Sequence, residues 1–315
     1  ASCGRRRLRP VPVTAPHPLA RTVLGADFQN PVLLAAGTAG FGRELAGIVD
    51  LEALGGLVTK AVSVAPRAGN RPPRVAEFPG GMLNSIGLAN PGLDHVRQDE
   101  FPWLAAHVRR PRVLVNVVGF AEGEYAEVVG GLADLPGISG FELNLSCPNT
   151  SAGGIEFGAD PVSVGRIVAS CRARTALPIL AKLSPALPDL VGIARAAHEA
   201  GADGVTLVNT MPGYLYADGG PRLGNGFGGV SGPALLPVGL LAVTRVKERL
   251  PGLTIVGAGG IRTADHVRQY LGAGASLVAI GTAGLADPRL PERLVRELAR
   301  APHPRQLVAR QLGEC

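Results

Sequence analysis

The chain has 315 residues, 46% of them hydrophobic, which is enough for one large core, and we expect a single domain over residues 19–315. The formal net charge is +6, but four positive charges lie at Arg5, Arg6, Arg7 and Arg9, in a proline-rich arm predicted to be flexible over residues 1–18. Positive and negative charges are therefore nearly balanced in the rest of the chain. Since aromatic residues make up only 4%, the composition argues against a nucleic-acid-binding protein.

The four cysteines, Cys3, Cys147, Cys171 and Cys315, lie far apart and form no CxxC pair. This spacing does not build a zinc site or an iron–sulfur cluster from the chain's own thiols, so no metal is expected. Three prolines interrupt the segment after the arginines, and no apolar run reaches about 18 residues. Neither a signal peptide nor a membrane span is predicted, and the expected location is the cytoplasm.

From residue 31 onward, short apolar strands alternate with helical segments. The first two strands are predicted at 31–37 and 55–60, with an amphipathic helix over 43–54 between them. Residues 61–91 are rich in turn residues and have no helical period. We predict that they form a long insertion folded over one end of the body.

The alternation is regular after Leu93 and adds six more strands. Eight β/α units with short apolar strands favour a closed parallel barrel over an open doubly wound sheet. The predicted fold is thus a TIM (β/α)8 barrel with a long insertion after the second strand. The later helices are expected at 93–108, 122–134, 160–174, 188–201, 233–249 and from Thr263, and the later strands at 112–117, 138–146, 177–183, 203–210, 253–260 and 276–282.

Polar or glycine residues follow every predicted strand, and in such a barrel the carboxyl ends of the strands meet at one mouth. Taken singly, each of these residues has an ordinary explanation as a turn or capping group. The pairs Gly259-Gly260 and Gly281-Thr282 end the last two strands, where barrels commonly bind phosphate. The full set of strand ends is Thr38, Lys60, Asn116, Asn144 with Cys147, Lys182, Asn209, Gly259, Gly260, Gly281 and Thr282.

Cys147 lies where a predicted strand breaks, in the segment FELNLSCPNT at 141–150. A thiol on a loop at the carboxyl end of a strand suits a proton-transfer or nucleophilic residue, although an inert packing cysteine is the alternative. Lys60 and Lys182 are two of only three lysines, and both end strands. Their ammonium groups can hold an anionic ring or carboxylate, the alternative being surface lysines.

Seven segments together resemble the class 1 dihydroorotate dehydrogenases, FMN-containing β/α barrels of pyrimidine biosynthesis, from about Leu19 to the carboxyl end. Segment 66–77 and the terminal Glu314-Cys315 look like class 1B, whose catalytic subunit works with a separate iron–sulfur flavoprotein and NAD. The segments are NSIGLANPGLD at 84–94, ELNLSCPNTSAGG at 142–154, AKLSP at 181–185, LVNT at 207–210, GGVSGP at 228–233, VGAGGI at 256–261 and AIGTA at 279–283.

The resemblance implies oxidation of (S)-dihydroorotate to orotate in the de novo synthesis of UMP. Cys147 matches the base that removes the proton from C5 while a hydride leaves C6 for the flavin. The electrons are then expected to reach NAD through a partner subunit that carries FAD and a [2Fe-2S] cluster. The implied assembly is a heterotetramer around a homodimer core, without nucleic acid or membrane.

The resemblance also implies the ligand contacts. Lys182 matches a residue that stabilises negative charge on reduced FMN. The substrate-binding residues implied are Lys60, Asn84, Ser85, Ile86, Gly87, Leu88, Asn144, Asn209 and Thr210. The FMN-binding residues implied are Thr38, Lys60, Ala61, Asn116, Asn144, Lys182, Val208, Gly232, Gly259, Gly260, Gly281 and Thr282, the last four at the phosphate.

Three alternatives stay open from the sequence. One is a stand-alone class 1A-type enzyme that reduces fumarate. Another is a relative of dihydropyrimidine dehydrogenase acting on uracil, although such enzymes usually carry ferredoxin-like cysteines that this chain lacks. The third is an FMN barrel resembling the tRNA-dihydrouridine synthases, which would need a basic and aromatic RNA-binding extension that the residues after Leu285 are too few to form.

Overall fold

Eight parallel strands close into a barrel in the computed structural model, which describes residues 19–146, 148–149, 155–217 and 219–300. Each strand pairs with its neighbours in sequence, and the last pairs with the first, which confirms the predicted (β/α)8 barrel. The strands are β1 Val32–Leu34, β2 Gly56–Val58, β3 Arg112–Val117, β4 Ile138–Asn144, β5 Ile179–Leu183, β6 Gly204–Leu207, β7 Thr254–Ala258 and β8 Leu277–Ile280.

The arm of residues 1–18, Cys147 and the terminal Glu314-Cys315 lie outside the described residues. The division into an arm and one domain of residues 19–315 therefore stays a prediction.

Alternate residues of each barrel strand pack into different layers, because successive side chains of a strand point to opposite faces. On β4, Phe141 and Leu143 belong to the large buried cluster that the strands share with the helices. Residues of the opposite phase, including Leu114 on β3 and Leu180 on β5, form a second buried cluster with Phe28. Phe28 comes from a hairpin of strands Arg21–Val23 and Ala26–Phe28, which covers the amino-terminal end of the barrel.

Some of the helices begin at a residue whose side chain caps them. Asp160 accepts hydrogen bonds from the backbone amides of Val162 and Ser163, and the Thr263 hydroxyl accepts one from the amide of His266. None of the helices in the described ranges is long and apolar enough to cross a membrane. The α-helices are Leu93–His95, Phe101–His107, Glu122–Leu132, Pro161–Arg172, Leu190–Glu199, Leu236–Arg249, Ala264–Gly272, Thr282–Ala286 and Leu290–Arg300.

Two predicted helices differ from the observed ones. The helix predicted over 43–54 is wrong: the structure has two 3-10 turns, Arg43–Leu45 and Leu51–Ala53. Gly47 between them has φ 84°, a left-handed conformation that ends a helix. The helix predicted over 93–108 contains a π-helical turn at Val96–Glu100. Pro102 follows two residues later and has no N–H for an α-helical hydrogen bond.

The insertion after β2 forms half of an antiparallel sheet that was not predicted. Its strands Val75–Phe78 and Gly81–Asn84 pair with each other. Gly81–Asn84 also pairs with Phe227–Ser231, which in turn pairs with Met211–Tyr214, and both of these strands follow β6. We call this four-stranded sheet the cap. Since both contributing segments leave the barrel at the carboxyl ends of strands, the cap lies at the mouth. Two short strand pairs accompany it, Pro148–Asn149 with Ile155–Glu156 and Tyr216–Ala217 with Gly220–Pro221.

Candidate active site

A carboxylate lies inside the barrel, just below the mouth. Glu142 on β4 is only 1% exposed, and its Oε1 accepts a hydrogen bond from Asn116 Nδ2 at 2.8 Å. Its Oε2 accepts one from the Thr206 hydroxyl at 2.7 Å. Lys182 Nζ lies 3.5 Å from Oε1. The four side chains come from β3, β4, β5 and β6 and form one buried polar cluster across four adjacent strands.

This cluster is stable inside the protein because every charge in it has a partner. A buried carboxylate without partners is strongly disfavoured, and here Glu142 receives two hydrogen bonds and a nearby ammonium group. Of the three N–H donors of Lys182, only one is directed at a described residue. The others are free to bind a ligand above the cluster.

Asn116 and Lys182 were predicted at the mouth from the sequence, whereas Glu142 and Thr206 were not. In the sequence, Phe141 and Leu143 alternate with Glu142 and Asn144, a pattern that makes Glu142 look like part of an ordinary polar strand face. In a closed parallel barrel both faces of a strand are buried, so a charged residue in mid-strand needs a partner from a neighbouring strand. A glutamate, a lysine and an asparagine in phase on consecutive strands were the signal that could have identified the cluster.

A second layer of amides lies one step nearer the mouth. Asn144 is in register with Lys182, and its Oδ1 accepts hydrogen bonds from Asn209 Nδ2 at 3.2 Å and from the amide of Ser146 at 3.3 Å. The Asn209 Oδ1 accepts one from the amide of Thr210 at 2.9 Å. The structure thus brings together three residues that the resemblance assigned to the substrate.

Ser146 ends this part of the mouth. Its hydroxyl oxygen is buried and has no hydrogen-bond partner within the described part of the chain. The next residue is Cys147, the expected base, which lies outside the described residues. An orphaned hydroxyl among amide side chains indicates a site with unused hydrogen-bonding capacity.

The ends of β1 and β2 lie side by side. The amide of Lys60 donates to the carbonyl of Gly40 at 2.7 Å, and the Thr38 hydroxyl donates to the carbonyl of Ala35 at 2.6 Å. The Lys60 ammonium has no hydrogen bond or ion pair within the described ranges. Ala61 is buried, as is Val208 at the end of β6.

Three glycines form a cradle, two directly after β7 and one directly after the cap strand Phe227–Ser231. Gly259 and Gly260 have φ 121° and 71°, and Gly232 has φ 100°. A Cβ on Gly260 would lie 2.5 Å from the amide nitrogen of Leu236, so a side chain does not fit there.

Close by, Gly281 precedes Thr282, whose hydroxyl donates to that of Ser231 in the cap at 2.8 Å. A Cβ on Gly281 would meet nothing nearer than Ala35, at 3.8 Å, so there is open space beside its backbone. A glycine backbone with open space and two hydroxyl groups beside it can bind the phosphate group of a ligand.

Tyr270 supports the cradle and was missed by the sequence analysis. This residue is fully buried, and its hydroxyl donates to the carbonyls of Ala258 at 3.1 Å and Gly259 at 2.8 Å. Burial raises the pKa of Tyr270, so the hydroxyl stays a donor at all ordinary pH values. A tyrosine on a predicted helix has no sequence signal that it holds a loop.

Tyr270→Phe should therefore weaken the cradle without removing any ligand contact. The substitution leaves the Gly259 carbonyl without its donor, and we expect a loss of about 1–3 kcal/mol in the free energy of unfolding. If the cradle binds FMN, as the sequence resemblance implies, the FMN dissociation constant should rise several-fold. Thermal unfolding with and without added FMN measures both effects, and an unchanged FMN affinity would contradict the supporting role.

The insertion residues assigned to the substrate lie in and beside the cap. Asn84 Nδ2 donates to the carbonyl of Gly229 at 3.2 Å, and a Cβ on Gly229 would overlap the Thr210 side chain. Asn84 and Thr210 therefore flank the same backbone segment. The Ser85 hydroxyl accepts from Asn70 Nδ2 at 2.7 Å. The following residues Ile86, Gly87 and Leu88 form a loop in which Gly87 and Leu88 have φ 73° and 57°.

Cys171 is separate from the site. It is fully buried on the helix Pro161–Arg172, and burial raises the pKa of its thiol to about 12. A thiol with this pKa is protonated near neutral pH and is a poor nucleophile.

Cys171→Ser should leave catalysis nearly unchanged. In the folded wild-type protein we also expect Cys171 to resist alkylation by iodoacetamide at pH 8, because both burial and protonation protect it. Mass spectrometry of the alkylated peptides measures this. Rapid labelling of Cys171 under native conditions would contradict it.

Comparisons with known proteins agree with this geometry. A family model described as dihydroorotate dehydrogenase matches residues 18–301. Three curated relatives carry the name "Dihydroorotate dehydrogenase B (NAD(+)), catalytic subunit". The Geobacillus kaustophilus protein is 42% identical over 282 residues, covering 89% of each chain. The Pelobacter propionicus protein is 44% identical over 88% of this chain and 90% of its own. The Desulforudis audaxviator protein is 45% identical over 84% of this chain and 86% of its own.

Proposed function

The chain belongs to the dihydroorotate dehydrogenase family of oxidoreductases, and from that premise we propose that it oxidises (S)-dihydroorotate to orotate with bound FMN, in the cytoplasm. One observation carries the proposal: a buried lysine, a layer of amides and a glycine cradle meet at a single barrel mouth. These groups suit a planar anionic substrate and a phosphate-bearing cofactor.

The residues present fit FMN. Gly259, Gly260, Gly281 and Thr282 would hold its phosphate, and Lys182 would face its ring system. When bound, FMN supplies the acceptor for the hydride that leaves C6 of dihydroorotate. Thr38, Lys60, Ala61, Asn116, Asn144, Val208 and Gly232 complete the proposed FMN-binding set.

The amide layer would bind and orient the substrate. Asn144 and Asn209 present both donors and acceptors, which match the imide edge of dihydroorotate. Asn84 and Thr210 approach from the cap side, with Ser85, Ile86, Gly87 and Leu88 closing the pocket. The Lys60 ammonium, which has no described partner, would offset the substrate carboxylate. Rigid placement of this kind lowers the barrier by removing the entropy cost of orientation.

Cys147 would act as the base. Its thiolate would take the proton from C5 of dihydroorotate, and the electron pair of that C5–H bond would form the C5–C6 double bond of orotate as C6 loses a hydride. One observation supports this role: Cys147 directly follows Ser146, which lies at the mouth.

The relatives are named catalytic subunits of NAD(+)-linked enzymes. We therefore propose that the electrons taken from dihydroorotate would reach NAD through a partner subunit with FAD and a [2Fe-2S] cluster. The proposed assembly is a heterotetramer around a homodimer of this chain.

Anaerobic stopped-flow absorbance tests the proposal. The purified chain should bind FMN, and dihydroorotate should bleach it rapidly, with no reoxidation by fumarate or NAD alone. Reoxidation by fumarate would assign a stand-alone electron acceptor instead of a partner subunit. The absence of bleaching would refute dihydroorotate as the substrate.

A further inference from the structure

We propose that Glu142 is a positioning residue that orients Lys182 and offsets its charge, and so lowers the reduction potential of the bound cofactor. This inference rests on the proposed function, because it assigns a role to a residue beneath the FMN site. Neither the strand pattern nor the family resemblance had assigned Glu142 any role.

The Glu142 carboxylate is held in place by hydrogen bonds from two neutral side chains. Asn116 at 2.8 Å and Thr206 at 2.7 Å hold its two oxygens from opposite sides, which fixes its plane. Lys182 Nζ lies 3.5 Å from Oε1, longer than either bond. The carboxylate is thus anchored by its neutral partners, and the lysine is the member of the cluster that can turn toward a ligand.

Lys182 and Glu142 lie at different depths along the barrel axis. Lys182 is in register with Asn144 at the mouth, whereas Glu142 is in register with Leu180, two residues deeper on β5. The positive member of the pair therefore lies nearer the site and the negative member beneath it. A ligand at the mouth is exposed to the field of both charges.

Both charged side chains of this pair are buried. Glu142 is 1% exposed and Lys182 8% exposed, so water screens neither charge effectively. Reduction adds negative charge to a flavin, and an unpaired lysine would stabilise it strongly. The buried carboxylate opposes part of that stabilisation. A flavin kept at lower potential gives up electrons more readily, as transfer toward a weak oxidant such as NAD requires.

Glu142→Gln is a suitable probe because its amide can keep the cluster intact. The Gln oxygen can accept from Asn116, and its NH2 can donate to the Thr206 hydroxyl, which can act as acceptor as well as donor. The shape stays the same and only the negative charge is lost. Lys182→Met removes the positive charge, and the double variant removes both.

The experiment measures the FMN midpoint potential by dye-equilibrated reduction of the wild type and these three variants. Glu142→Gln should favour reduced FMN by about tenfold, which is about 30 mV for a two-electron couple. Lys182→Met should shift the potential in the opposite direction. The double variant should lie between the two single variants, because the two charges act in opposite senses.

Thr206→Val is the matched control, since it disturbs the same buried cluster without changing any charge. It should leave the potential close to that of the wild type. The proposal is overturned if Glu142→Gln produces no shift, if both single variants shift the potential in the same direction, or if Thr206→Val shifts it as much as Glu142→Gln does.

These outcomes are distinguishable from a failure of the proposed function. The potentials are measured without dihydroorotate, so the predicted shifts can appear even if this substrate fails to bleach the flavin. A wild-type chain that binds no FMN would overturn both proposals.

Discussion

Cys147→Ala should retain bound FMN and lose about 10²- to 10⁴-fold in the rate of flavin bleaching by dihydroorotate, the usual contribution of a general base. Alanine removes the only group proposed to accept the C5 proton, while the glycine cradle and Lys182 remain. Stopped-flow bleaching under anaerobic conditions measures the rate, and the visible spectrum reports the bound flavin.

Cys171→Ser provides the control for this experiment, because it alters a buried cysteine on the helix Pro161–Arg172, away from the mouth. It should bleach at nearly the wild-type rate. Near-normal bleaching in Cys147→Ala would remove Cys147 from the base role.

Gly260→Ala should weaken FMN binding by about 30- to 150-fold, corresponding to about 2–3 kcal/mol. Two effects add: a left-handed conformation costs a residue with a Cβ about 1–2 kcal/mol, and the new Cβ would lie 2.5 Å from the Leu236 amide nitrogen. The backbone must shift, which moves the proposed phosphate site. Fluorescence titration of the apoprotein with FMN measures the affinity.

Gly272→Ala is the matched control, because a Cβ there would meet nothing within 4 Å. Gly272 ends the helix Ala264–Gly272, where alanine should be neutral or slightly stabilising. If Gly260→Ala and Gly272→Ala bind FMN equally well, the cradle does not contact the cofactor.

The barrel could be predicted from the sequence because its eight strands are short, apolar and regularly spaced. The sequence pattern gave a wrong helix in one segment, and it did not predict the strands of the cap. Gly47 in a left-handed conformation turned an expected helix into two 3-10 turns. The strands of the cap were missed because pairing between Gly81–Asn84 and Phe227–Ser231 joins segments far apart in the chain.

The residues of the candidate active site could likewise be predicted only in part from the sequence. Strand-end residues such as Asn144 and Asn209 were placed correctly at one mouth, because chain direction fixes where parallel strands end. Glu142 and Tyr270 were missed because their roles depend on side chains from other elements. The ligand contacts themselves stay predictions.

The cap has a consequence for how the protein acquires its native structure. Four barrel strands, β3 to β6, lie between the two halves of this sheet along the chain. Pairing its halves early would close a long loop before most native contacts exist, which is entropically costly. The cap is therefore expected to assemble late, once the barrel has brought both halves together. Nascent chains that end before Phe227 would lack the strand Phe227–Ser231, so the cap at the barrel mouth would be incomplete.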